Sequence, residues 1–275
     1  PLAPLHQPHN LAPIRSLLAE RPDLPQVACF DTAFHHGQPP EAQTFALPWR
    51  FHEDGVRRYG FHGLSYEYIA RTGKTQVPAL ASGRTVVAHL GNGVFLCAML
   101  DGKSVATTMG FTALDGCPMG TRCGSLDAGV VIHLARAYGM SIDAIESMLY
   151  LESGLLGLSG VSSDMQDLLD SSAPGARRAV DYFVYQLARE VASMAAAMGG
   201  MDALVFTAGI GENSAPIRLA VCARLAWMGV HIDAQANAAG AAQISTATSP
   251  VSAWRIPTNE ELMIAEHTCE VLNLR

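Results

Sequence analysis

Four short segments carry residue types that could do chemistry on an anion. His89-Leu90-Gly91-Asn92-Gly93 follows the apolar run at Thr85, and Ala208-Gly209-Ile210-Gly211-Glu212-Asn213 follows the one at Ala203. Glycines just past a strand let the backbone approach phosphates and turn its N–H groups toward them. In the second segment a helix is expected next, whose N-terminus adds a dipole favourable to an anion. Neither segment has the spacing of a P-loop, and the second has only GxG where a dinucleotide site needs GxGxxG. Each alone fits a tight turn as readily as a ligand loop; the pair, with Glu212 and Asn213 at hand, points toward a nucleotide. The third segment, Gly116 to Gly124, sets Arg122 among glycines ahead of a helix. A guanidinium fork there suits a carboxylate or phosphoryl group, although an ordinary surface loop has the same composition. The fourth, Arg57-Arg58-Tyr59-Gly60-Phe61-His62-Gly63, fits a solvated face or an anion site. Glu260, near a helix start, reads by itself as a partner of the helix dipole.

These segments must be positioned by strands and helices. Leu11 to Leu18 predicts a short helix with Asn10 as its N-cap. Gln26 to Phe30 predicts a buried strand delivering Asp31 at its C-terminal end, and residues 36–56 read as loop. Thr85 to Leu90 predicts a strand, and Val94 to Leu100 with Ser104 to Met109 a hairpin around Asp101-Gly102, a dipeptide that tolerates the positive φ of a tight turn. Ser125 to Tyr138 and Ser141 to Leu151 predict helices, each capped by its serine. The longest helix is expected from Pro174 to Gly199-Gly200, with Val180, Phe183, Val184, Leu187, Val191, Met194, Ala195 and Met198 on its core face. A strand at Ala203 to Phe206, a glycine turn and a helix follow, then a strand at Ala253 to Ile256 and a helix at Asn259 to Leu272. The alternation indicates an α/β protein.

The chain has 275 residues, 49% hydrophobic and 16% charged, a balance that builds a sizeable core and opposes disorder. That length fits one large domain or two. No apolar run approaches the roughly 18 residues of a membrane span, so the chain reads as soluble without a membrane partner. A formal net charge of -7 opposes general nucleic-acid binding. Six scattered cysteines without a CxxC pair predict free thiols in a reducing cytoplasm. Pro1 opens the sequence with neither an initiator methionine nor a targeting peptide, which predicts a start inside a longer natural chain.

Taken in order, several motifs resemble the acetate kinase family. They are Pro4-Leu5-His6 with Asn10-Leu11, Phe30 to His35, Arg57 to Gly63, His89 to Gly93, Met109 to Thr112, Met119 to Arg122, Glu152 to Gly157, Val161 to Met165, Phe206 to Ser214 and Pro257 to Leu262. The resemblance runs the length of the sequence. It implies the α/β actin-like ATPase fold of the acetate and sugar kinase superfamily, two related domains around a cleft, with the first incomplete here. Residues 1–33 plus 262–275 would be the remnant of that first domain, and 34–261 the second, nucleotide-binding domain. With its sheet incomplete, the remnant is expected to pack poorly or on a neighbouring chain.

By the same resemblance the activity is reversible transfer of the ATP γ-phosphoryl group to acetate, giving acetyl phosphate and ADP, with Mg²⁺ or Mn²⁺ as cofactor and a homodimer as the assembly. Asp31 matches the active-site acid, His62 and Arg122 the stabilisers of the transferring phosphoryl group, and His6 a further active-site histidine. His89, Leu90, Gly91, Asn92, Gly93, Asp164, Met165, Gln166, Gly209, Ile210, Gly211, Glu212 and Asn213 match ATP contacts. Leu5, Phe61 and Ala113 match the acyl pocket, and Glu260 the metal-associated glutamate. Three positions depart from the family: Gln166 replaces an arginine, Val94-Phe95 replaces Ala-Ser, and Ala113 replaces a proline. The first removes a charge beside the nucleotide, the second crowds a phosphate loop or points into the core, and the third leaves room for an extra methylene. A propionate or butyrate kinase and a truncated, non-catalytic nucleotide-binding chain are the alternatives. An NAD-dependent dehydrogenase is disfavoured by the incomplete glycine motif.

Overall fold

The computed structural model describes residues 7–77, 80 and 82–274. It begins with α1 (Gln7–Glu20), which starts earlier than the sequence predicted, so that Asn10 lies inside the helix and is no cap. Pro8 in the first turn has no intrahelical N–H to lose and favours that earlier start. Every side chain from Asn10 to Glu20 is exposed, Leu17 and Leu18 included. The strand expected at Gln26–Phe30 is absent: the segment is irregular, and Phe30 is 69% exposed. A strand needs a neighbour for its N–H and C=O groups, and no described strand lies alongside. Residues 36–56, read as loop, contain the short helices α2 (Pro40–Gln43) and α3 (Trp49–Glu53).

Helix α4 (Gly63–Gln76) precedes a five-stranded sheet made of β1 (Arg84–Leu90), β2 (Val94–Leu100), β3 (Lys103–Thr107), β4 (Ala203–Thr207) and β5 (Ser252–Arg255). The order is β3-β2-β1-β4-β5. β1 pairs antiparallel with β2 and parallel with β4, while β4 is parallel to β5. The hairpin turn falls at Asp101 and Gly102, both with positive φ, as that dipeptide predicted.

Between β3 and β4 the chain forms α5 (Ala128–Ala137), α6 (Ile142–Ser147), α7 (Gly154–Ser159), α8 (Met165–Asp170) and α9 (Pro174–Ala197). The cap of α5 is Asp127, which accepts from the Gly129 N–H, and not Ser125. Ser125 instead donates its hydroxyl proton to Asp115 at 2.7 Å. Ser141 caps α6 as expected, but that helix ends at Ser147 and continues as a wide π turn over Met148–Glu152. After β4 come α10 (Ala208–Asn213), α11 (Ala215–Arg224) and α12 (Ala234–Ala238); α13 (Glu260–Val271) follows β5, capped by Asn259.

Alternation along the strands sends side chains to two faces. Val86, Ala88 and Leu90 meet Phe183, Leu187 and Val191 of α9, so the stripe read from the sequence is core. Val87, Cys97 and Val205 face Tyr66, Ile69 and Ala70 of α4 on the other side. Helix α13, expected to pack poorly, docks on α4: Arg71 binds Glu266 at 2.6 Å and His267 meets Glu67 at 2.8 Å. Met263 is buried beneath it.

Candidate active site

Both glycine segments lie at the C-terminal ends of parallel neighbours, β1 and β4, the edge of an open α/β sheet where ligands bind. The first is the tight β1–β2 turn, with the Gly91 N–H donating to the Gly93 carbonyl at 2.9 Å. The second is no loop; it is α10 itself. Ala208 turns from strand to helix in one residue, at φ 64°, and its N–H is caught by the Glu212 carboxylate at 2.8 Å. That oxygen also accepts from the Thr258 N–H at 3.2 Å, so Glu212 braces the turn and the approach to α13.

Between these segments opens a cleft of about 540 Å³. Gly91, Asn92, Gly209, Ile210 and Asn213 line it on the sheet side, and Asp164, Met165 and Gln166 on the other, with Arg122 at the same wall. The remaining nucleotide candidates do not line this cleft. Leu90 is in the core, Gly211 is buried within α10, and Glu212 is engaged as described. Asp164 caps α8, accepting from the Gln166 and Asp167 N–H groups. The Gln166 amide donates to Asp170 at 2.9 Å, so a neutral side chain held on its own helix stands there.

Two of the candidate catalytic side chains, His62 and Arg122, meet at Phe95. Its ring is fully buried. The His62 imidazole stacks on it with centroids 5.3 Å apart, and the Arg122 guanidinium carbon lies 5.9 Å from its centroid. Phe95 therefore points inward as a floor beneath both groups. Arg122 donates to the Ala113 carbonyl at 2.9 Å and the Asn92 carbonyl at 3.2 Å. Burial pulls its pKa down, and the nearby Tyr150 opposes this. Guanidinium remains cationic in proteins, so a partly desolvated positive charge faces the cleft.

His62 also stacks on His89, centroids 4.3 Å apart. Two cations cannot be stacked cheaply, and His89 is the one held neutral: burial first, then His62, pushes its pKa well below the ordinary value. The His89 Nδ1 meets Ser65 Oγ at 2.9 Å, and Ser65 Oγ lies 2.8 Å from Thr258 Oγ1, within hydrogen-bond distance of both.

Glu260 is half-buried, and its carboxyl pKa is raised by burial and by the charge of Asp31, against a hydrogen bond to Ser65. Asp31 is near enough for its charge to act on Glu260, and a carboxylate oxygen is the kind of ligand a hard divalent cation such as Mg²⁺ prefers. His62, His89 and Glu260 also bring ligand atoms within 4.8 Å of one another. The two imidazole rings lie within 22° of parallel, and a ring nitrogen binds a metal along its own plane, so the pair cannot aim both lone pairs at one ion. Of this group, the hard carboxylate oxygen of Glu260 suits Mg²⁺ better than the imidazole nitrogens do.

Phe61 and Ala113 both join the core cluster beside the cleft. Leu5 and His6 lie outside the described residues. Sequence reasoning missed Tyr150, Leu155, Ser163 and Ser214 as lining residues. Ser163 and Ser214 carried a signal in their adjacency to Asp164 and Asn213, and Leu155 in the motif Glu152 to Gly157; Tyr150 lies in the π turn and carried none.

A model of the acetokinase family matches residues 1–266. Acetate kinase from Rhodopseudomonas palustris (strain ATCC BAA-98 / CGA009) is 60% identical over 269 residues, covering 97% of this chain and 68% of that protein. Acetate kinase from Rhizobium meliloti is 53% identical, covering 99% of this chain and 69% of that one. Among solved structures, Porphyromonas gingivalis acetate kinase superposes with a TM-score of 0.91 at 38% identity, over 98% of this chain and 69% of that one. A propionate kinase from Francisella tularensis gives 0.90 at 40% identity, over 96% and 69%.

Proposed function

Since this chain belongs to the acetokinase family, we propose that it transfers the γ-phosphoryl group of ATP to acetate, reversibly, forming acetyl phosphate and ADP. The observation that carries this reading is the cleft, which gathers Arg122 with Gly91, Asn92, Asp164 and Gly209 against one space. Phosphoryl transfer asks chiefly for positioning and charge neutralisation. ATP lies along the cleft with its phosphates toward the β1–β2 turn. Arg122 and His62, fixed side by side over Phe95, donate to the equatorial oxygens of the transferring group, where negative charge is borne in the transition state. Asp31 and Glu260 would hold Mg²⁺, which would supply positive charge against the nucleotide phosphates. His89, neutral, orients His62 by stacking. The carboxylate oxygen of acetate attacks the γ-phosphorus as ADP leaves.

Trapping acyl phosphate as the hydroxamate from acetate and MgATP tests this reading. Turnover no higher than that of Arg122→Ala would refute it and leave a non-catalytic nucleotide-binding chain. The small Ala113, in the same core cluster as Phe61, together with the propionate kinase neighbour, supports propionate as a second substrate. One methylene changes kcat/KM by roughly 10–200-fold, and the acetate-to-propionate ratio measures the preference.

We assign residues 1–33 and 262–275 to a first domain, a reading supported by the exposed Leu17, Leu18 and Phe30. Helix α5 is apolar yet has no buried residue. Ile132, Tyr138 and Ile142 stand 52%, 72% and 67% exposed, which supports a homodimer through this face. No described helix is long and apolar enough to cross a membrane. A cytoplasmic site of action fits the six free cysteines.

A further inference from the structure

Behind the His62 loop lies a buried polar cluster that the phosphoryl chemistry above does not use. His35, at the end of a 3₁₀ turn, is 2% exposed, and Ser104 on β3 is 4% exposed. The His35 Nε2 lies 2.9 Å from the Phe61 carbonyl. A carbonyl only accepts, so Nε2 carries the proton and Nδ1 must accept. It does so from Ser104 Oγ at 2.8 Å. Ser104 Oγ in turn receives the Gln38 amide at 2.8 Å and the Cys97 thiol at 3.3 Å. The hydrogen bonds run in one direction, from Gln38 and Cys97 through Ser104 and His35 to Phe61.

That carbonyl belongs to the peptide leading into His62, which sits at φ 55°, ψ 28°. A left-handed conformation is strained for a non-glycine residue and persists only where its neighbours are held. The peptide before His62 is held by His35. The one after it is held by the Gly63 N–H, which donates to the Asp31 carbonyl at 2.9 Å. Both holds come from residues 31–35. Gly60 completes the fit: a Cβ there would lie 2.6 Å from the His35 ring, so a bare backbone must pass over the imidazole.

We propose that His35 is a positioning residue for phosphoryl transfer: as the Nε2–H tautomer, fixed from behind by Ser104, it anchors the Phe61 carbonyl and keeps His62 over the Phe95 floor. This rests on the function proposed above. Burial lowers the His35 pKa to about 4, so the required neutral tautomer persists at neutral pH.

Two variants separate positioning from folding. The amide of His35→Gln reaches the place of Nε2 and can still donate to Phe61. The amide of His35→Asn reaches only the place of Nδ1 and keeps Ser104 alone. With acetate and MgATP, His35→Gln is expected within about threefold of the wild-type kcat. His35→Asn is expected to lose about tenfold or more, and KM for ATP to stay within about threefold in both. Equal kcat in the two variants, or a KM that rises as kcat falls, overturns the proposal. If His35→Asn does not fold, Ser104→Ala releases Nδ1 and is expected to lower kcat at constant KM; an unchanged kcat counts against the proposal. The ring Hε1 resonance of His62, shifted by the stacked rings of Phe95 and His89, gives a readout independent of turnover. It is expected to keep its position in His35→Gln and to move in His35→Asn. No movement in either overturns the positioning role, whereas an inactive wild type refutes only the proposed activity.

Discussion

Arg122 illustrates how one side chain meets two demands. Its fork is already spread by the Ala113 and Asn92 carbonyls, so its rotamer is set before substrate arrives. Arg122→Lys keeps the charge but loses this planar geometry. A fall in kcat of about a hundredfold or more is expected, with a much smaller change in KM for ATP, since the loss falls on the transition state. Steady-state kinetics at saturating acetate measure the split. Titration at the residue scale also predicts an acid limit to stability. His35 is neutral in the fold down to about pH 4, whereas in the unfolded chain it takes a proton near its ordinary value of 6.5. As pH falls below about 6.5 the unfolded state therefore binds the proton first and stability declines, by about 2 kcal/mol at pH 5 and about 3 kcal/mol near pH 4. His89 acts in the same direction. Urea unfolding at pH 7 and pH 5 is expected to give a smaller difference in His35→Gln than in the wild type.

At the scale of elements, the loop carrying Arg122 depends on the start of α7. The Ser153, Leu155 and Leu156 N–H groups donate to the Thr121, Met119 and Gly120 carbonyls at 2.8–2.9 Å. Gly154, at φ 60°, lets that backbone lie flat on the loop; a Cβ would collide with the Met119 carbonyl and approach the Arg122 carbonyl to 2.7 Å. Gly154→Ala is therefore expected to destabilise by more than about 2 kcal/mol, combining steric displacement with φ strain. It should also lower kcat, because the displaced element carries Arg122. Gly37→Ala, where nothing lies within 4 Å of the added carbon, is the control. Thermal unfolding of the pair with parallel rates checks both consequences.

At the scale of the whole molecule, the sheet is covered on one face by α9 and on the other by α4, and the cleft sits at the β1 and β4 ends. Exposed apolar side chains recur on α1, on α5 with the start of α6, and on α13. If α5 forms the dimer face, Ile132→Asp places a charge in that contact and is expected to give a monomer by light scattering without loss of helical content. A monomeric wild type would argue against this face.

The sequence determined much of this architecture by itself. The periodicity of α9, the Asp101-Gly102 hairpin and the Ser141 cap are local physics: each depends on the spacing of side chains or on φ preferences within a few residues. The motifs that resemble acetate kinases likewise identified Arg122, Asp164 and the two glycine segments, which the cleft does bring together. What the sequence misjudged or left open were features whose outcome depends on distant partners. Gln26–Phe30 has the composition of a strand but no neighbouring strand to complete its hydrogen bonds. Glu212 looked like a ligand contact, yet its carboxylate braces Ala208 and Thr258 across 46 residues of chain. Phe95 could crowd a phosphate or fill the core, and only the fold turned its ring beneath His62 and Arg122. His35 was one residue in a motif until packing set it between Ser104 and Phe61. Contacts between residues 26 to 69 positions apart carry no signature in local spacing, so these roles were decided by tertiary structure alone.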